Sequence, residues 1–129
     1  MRVRARRESF ADCPPALQAL GFSARSQTHI SVGATYAVHA LSVFQGAVFL
    51  QIRNDLTFPG WLPAWLFEPI EPGIPSDWIC SLLEDEPQVV IGPAFVARDH
   101  AAYTAMVEQH PAAVRLFDER AASGDVERE

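Results

Sequence analysis

Residues Phe58 to Trp78, FPGWLPAWLFEPIEPGIPSDW, restrict the fold more than any other stretch of this chain. They hold all three tryptophans (Trp61, Trp65, Trp78), Phe58 and Phe67, and five of the ten prolines. Each proline fixes φ and removes a backbone donor, so the segment cannot run as one helix or as one central strand. Large aromatic rings on a stiffened backbone make either a packed core element or a rigid binding surface. The residues leave both readings open.

The rest of the chain narrows the class. At 129 residues and 49% apolar composition, a single domain with an ordinary hydrophobic core is expected, with flexible ends at about residues 1–9 and 125–129. The formal net charge of −6 disfavours nucleic-acid partners, whose affinity comes largely from cationic contacts to phosphate. No lysine is present, which excludes a lysine Schiff base or lysine general base. The start is basic, through Arg2, Arg4, Arg6 and Arg7, and reads as a frayed terminus. From Asp55 to Asp99 there are eight acids against Arg98 alone. No apolar run of signal-peptide or membrane-spanning length follows the basic start, so a cytoplasmic protein with no membrane partner is expected. Cys13 and Cys80 form no C-x-x-C pair, and Cys80, within Trp-Ile-Cys-Ser-Leu-Leu, reads as a buried apolar thiol.

Periodicity supplies the elements. Residues 14–20 predict a short helix that Gly21 ends. Residues 35–53 predict a β-hairpin turning at Gln45-Gly46, with Phe44 facing Ala47, Val43 facing Val48, Leu41 facing Leu50 and His39 facing Ile52. One face then carries Leu41, Val43, Val48, Leu50 and Ile52, and the other carries Ser42, Gln51 and Arg53 among apolar neighbours. Short strands are expected from Trp65, ending or interrupted at Pro69, from Trp78 to Leu83, and from Gln88 to Ile91, with an acidic turn at residues 84–87. Asp99 is a candidate N-cap for a helix bearing Tyr103, Met106, Val107 and His110 on one face. Pro111 breaks that helix, and a second is expected from Pro111 to Ala122, with Val114, Phe117 and Ala121 inward, stopping near Gly124. The resulting class is α+β: a small, strongly bent antiparallel sheet or open barrel followed by two C-terminal helices.

No nucleophile elbow, phosphate-binding glycine loop or H-E-x-x-H pattern occurs, and no histidine stands at i, i+4 from another ligand. No catalytic residue, metal or cofactor is therefore assigned. Glu68, Glu71 and Asp77 flank the tryptophans, and paired carboxylates perform acid–base work only where they converge in a cleft. Trp61 and Trp65 offer flat apolar faces and donor N–H groups to a partner.

Tyr36 and Val38, then Trp61 and Pro63, then Leu66-Phe67-Glu68, then Ile74-Pro75-Ser76-Asp77-Trp78 make up a pattern of hairpin, aromatic-proline stretch, LFE and IPSxW. In this pattern the chain resembles a group of small bacterial proteins, over about a third of its length. The resemblance implies a small sheet or open barrel of the Src-homology type followed by helices. It is also similar to immunity proteins encoded beside bacterial toxins, and it carries no catalytic residue with it.

The expected function is a non-enzymatic protein-binding module, of the immunity type, that sequesters a protein partner of basic character. The expected contact residues are Trp61, Trp65, Glu68, Glu71 and Asp77, because acidic surfaces speed capture of basic partners and aromatic anchors supply most interface energy. Two alternatives stand beside it. One is a small enzyme whose carboxylate or histidine site is assembled from distant segments. The other is a self-associating subunit in which an edge strand or the Met106 helix face pairs two copies.

Overall fold

The computed structural model describes residues 1–83 and 88–127. Among these residues, seven antiparallel strands form one open sheet: β1 (Arg2–Ala5), β2 (Thr35–Phe44), β3 (Ala47–Arg53), β4 (Pro59–Pro63), β5 (Phe67–Glu71), β6 (Ile79–Leu83) and β7 (Gln88–Gly92). Helix α1 (Pro15–Ala19) lies between β1 and β2. Helices α2 (Ala94–Ala97), α3 (His100–Val107) and α4 (Pro111–Glu127) follow β7. The fold is α+β, with one more C-terminal helix than expected. The addition, α2, is a single turn opened by Pro93.

Chain reach alone makes the sheet curl. The strand path is β4-β3-β2-β1-β5, so a flat sheet would hold β4 and β5 about 19 Å apart, four strand spacings. Yet only the 3₁₀ turn Ala64–Leu66 joins them, and a link of that length spans at most about 14 Å. The two ends of the path must therefore approach one another, although they do not pair. On the other flank β2 divides its edge: Arg2–Arg4 of β1 pair with Ala37–Thr35, and β7 pairs with Leu41–Phe44.

The division coincides with a bulge at His39. Phe44↔Ala47, Val43↔Val48 and Leu41↔Leu50 pair as expected, but Ile52 pairs with Val38 in place of His39. One extra residue in β2 moves its buried side chains from one face of the sheet to the other. Tyr36 and Val38 join a cluster with Val3, Phe10, Leu17, Leu50, Ile52, Leu66 and Phe67. Ala40 joins a second cluster with Val90, Val96, Met106 and Phe117. His39 is half-buried and sets its ring edge against Phe117, 4.8 Å between centroids. The turn has positive φ at both Gln45 (48°) and Gly46 (79°), the conformation that matches the twist of a two-residue hairpin.

Local chemistry explains the helices. Asp99 caps α3 by accepting from the Ala102 N–H at 2.8 Å. Met106 and Phe117 are buried against the sheet, while Val107 and His110 of the expected apolar face are exposed. Arg53 reaches across from β3 to Asp118 at 3.0 Å, with its guanidinium 5.7 Å from the Phe117 ring. Helix α4 runs through Gly124 without stopping. Gly92 exists at close approach: a Cβ there would stand 2.7 Å from that of Ala40.

Other expectations change. The basic start is strand β1, alternating exposed Arg4 with buried Val3 and Ala5. Pro59–Pro63 is a strand, tolerated because β4 is an edge that, among the described residues, pairs with β3 alone. Strand β5 continues through Pro69 for the same reason. Cys80 is exposed, because it lies on the uncovered face of edge strand β6, and both cysteines are free thiols. The acidic turn at 84–87, the inward side chain of Ala121 and residues 128–129 lie outside the described residues.

Candidate interaction surface

The three tryptophans are each half-buried and serve different clusters. Trp61 sits opposite Gln51 on β3 and packs edge-on against Tyr103 of α3, 5.5 Å between centroids. It belongs with the cluster under the C-terminal helices. Trp65 stands in the 3₁₀ turn and packs on the other cluster, stacked at 6.2 Å on Phe10. The Arg7 guanidinium lies 4.3 Å from the Trp65 ring centroid and donates to the Trp65 carbonyl at 2.7 Å. That cation–π contact ties the basic start of the chain to its aromatic centre. Trp78 also packs against this cluster, ahead of β6.

The carboxylates occupy separate places. Glu68 of β5 faces Arg4 of β1 across the strand pair, with a 3.5 Å ion pair. Glu71 is exposed at the end of β5. Asp77 is gripped by both terminal nitrogens of Arg120 on α4, one of them at 2.8 Å. That hydrogen-bonded fork holds the Asp77 carboxyl below its ordinary pKa of 3.8. An exposed pair of this kind contributes about 0.2–1 kcal/mol.

A further polar constellation lies at the hairpin base. Asp55 accepts from Tyr36 Oη and from Ser31 Oγ, both at 2.7 Å, and its own N–H donates to the His29 carbonyl at 2.8 Å. The hydrogen bond from Tyr36, then that from Ser31, lowers the Asp55 pKa. Burial, then the Asp55 hydrogen bond, raises that of Tyr36. These contacts join the loop before β2 to the loop after β3. Sequence reasoning did not bring this set together, since Ser31 and Tyr36 lie far from Asp55 along the chain.

Between these fixed groups, residues 70–77 form a continuous exposed segment, with only Pro75 half-buried. Ile74 is 56% exposed and Ile70 is 39% exposed. They alternate with Glu71 and Asp77 on a path stiffened by Pro69, Pro72 and Pro75. The two isoleucines were not singled out from sequence, where proline and glycine marked only turns. Their signal was the apolar residue placed between every pair of turn formers. Elsewhere, a cleft of about 380 Å³ beside α1 is lined by Phe10, Cys13, Gln18 and Phe22 among others, and by none of the five expected contact residues. Among the described residues, no three His, Cys, Asp or Glu side chains gather to hold a metal ion. Also among them, no helix is long and apolar enough to cross a membrane.

Comparison with protein-family models, with curated proteins and with solved structures finds no match to this chain.

Proposed function

We propose that the chain is a non-enzymatic protein-binding module of the immunity type, cytoplasmic, which captures a basic protein partner through β5 and the segment that follows it. The observation that carries this reading is the exposure of residues 70–77, where Ile70 and Ile74 stand in solvent beside Glu71 and Asp77. Prolines reduce the backbone freedom lost on binding, so a stiff strip of this kind keeps more of its contact energy. Apolar side chains ringed by acids suit a partner with an apolar contact surrounded by arginine or lysine. Trp65 and Glu68 lie at the start of the same strip, and Trp61 would contribute through its exposed part. No arginine occurs from Asn54 to Ala97, and Arg4 and Arg120, from elsewhere in the chain, pair with Glu68 and Asp77, so a basic partner would compete with them for these carboxylates.

Affinity capture from the host with tagged protein, followed by titration of the captured partner, tests the reading. Ile74→Asp and Glu71→Arg should each weaken binding at least about tenfold, or roughly 1.4 kcal/mol, without altering the melting curve. Failure to capture any partner, or a partner indifferent to both substitutions, ends the proposal.

A further inference from the structure

Among the described residues the sheet has three edge strands, and they are protected unequally. Strand β4 carries Pro59 and Pro63, and its Pro59 carbonyl accepts from Gln109 Nε2 at 3.2 Å. Strand β5 carries Pro69 between Glu68 and Glu71. Prolines and charges are the ordinary means of preventing an edge from adding another strand. Strand β6 has neither: it reads Ile-Cys-Ser-Leu-Leu and, among the described residues, pairs only with β7. Four of its five side chains are exposed or half-buried, and Leu82 is the most exposed large apolar residue described, at 77%.

The face around Leu82 is apolar as well. Cross-strand pairing aligns Leu82 with Val89, Val43 and Val48 on one row, and Cys80 with Ile91 and Leu41 on the next. No ionisable side chain other than the Cys80 thiol lies on these rows. A chain of net charge −6 repels a second copy of itself overall. An uncharged edge is where that repulsion is weakest.

We infer that β6 is a self-pairing edge, joining two copies antiparallel about a two-fold axis at Ser81. This register places Ser81 opposite its own symmetry mate, Leu82 opposite Cys80 of the second copy, and Ile79 opposite its Leu83. Every pair within Ile79–Leu83 is then apolar or hydroxyl to hydroxyl, and the acid Asp77 stays outside the paired stretch. This is the register in which all five residues of β6 are paired. The joined edge satisfies backbone groups that β7 leaves open and covers part of Leu82.

Sedimentation and light scattering of the purified chain at rising concentration test this without any other partner, so the outcome is independent of the capture experiment above. The expected result is a shift from one chain mass to two by high micromolar concentration. Leu82→Glu should return the protein to a single chain with an unchanged melting curve, since Leu82 is exposed in the single chain. Under mild oxidation, Leu82→Cys should yield a covalent dimer whose peptide map joins the introduced thiol to Cys80 of the other copy. A wild-type chain that stays single at high concentration, as it would if β6 takes a strand from a different protein, overturns the inference. So does a dimer that survives Leu82→Glu, or a covalent dimer joined through the two introduced thiols alone.

Discussion

Toward α1 and β1, the β2–β3 hairpin presents Val38, Leu50 and Ile52 to Phe10, Leu17 and Leu66, a cluster without a buried amide. Toward α3 and α4, the same two strands present Ala40, Ser42 and Gln51 to Met106 and Phe117. Gln51 is fully buried, and neither end of its amide has a hydrogen-bond partner. The indole N–H of Trp61, directly across the strand pair, is likewise buried and unpartnered. At the turn end the expected polarity is reversed. The aliphatic pair Val43 and Val48 is exposed, and the polar row beneath the helices is buried. The first face is held mainly by apolar burial, with polar contacts such as Tyr36–Asp55 and Arg7–Trp65 at its rim. The second depends on large aromatic contacts to offset polar groups that burial leaves costly.

The largest effect should come from removing the aromatic anchor of each face. Phe10→Ala and Phe117→Ala should each cost about 3–5 kcal/mol in urea unfolding. If the faces form one cooperative unit, both variants keep a single transition. A two-step curve for Phe117→Ala alone would show that the helical cover separates from the sheet. Gly92→Ala presses a methyl group onto Ala40 beneath that cover and should cost about 1–3 kcal/mol, the usual scale of overpacking. A Tm within a degree or so of the parent would mean that β7 shifts freely.

Acid compares the polar fastenings of the two faces. Asp55 holds the loop beside Tyr36, and Asp77 holds α4 through Arg120. Both carboxyls lie below 3.8 in the folded protein. Each therefore adds stability that is present above pH 3.8 and is lost as the pH falls through the folded value. Unfolding free energy should decline in that acid window. Asp55→Asn should lose about 1 kcal/mol at neutral pH and flatten the decline, with Asp77→Asn a smaller copy of it. A decline unchanged in both variants would place the acid sensitivity elsewhere. The smallest predicted change has the opposite sign. Gln51→Met, of similar volume, should be neutral or stabilising by up to about 1 kcal/mol, because it removes an amide without partners. A clear loss of stability would show that the amide is satisfied in solution.

Much of this was legible from local pattern, because a two-residue turn, a cap and a strand alternation act over a few residues. Gln45-Gly46 announced the hairpin, Asp99 the start of α3, and Pro111 the break before α4. Strand β1 was legible too, in the alternation Arg2-Val3-Arg4-Ala5, but four arginines among the first seven residues drew the reading toward a frayed end. Strand β4 was masked by its bounding prolines, which bar a central strand but not an edge. Of the contact residues, sequence pointed to the tryptophans and acids. Only the fold separated Trp61 from Trp65 and set Ile70 and Ile74 in solvent.

Residue order thus dictated the hairpin and its turn, the cap of α3, the break before α4 and the α+β class, and left open whether the aromatic rings serve core or surface. Which face of each strand is buried was decided in three dimensions. A single extra residue at His39 exchanges inside for outside, and the helices that cover one face arrive from the far end of the chain. The same is true of the bare edge of β6: its five uncharged residues look like any core strand until the sheet gives them a neighbour, β7, on one side only among the described residues.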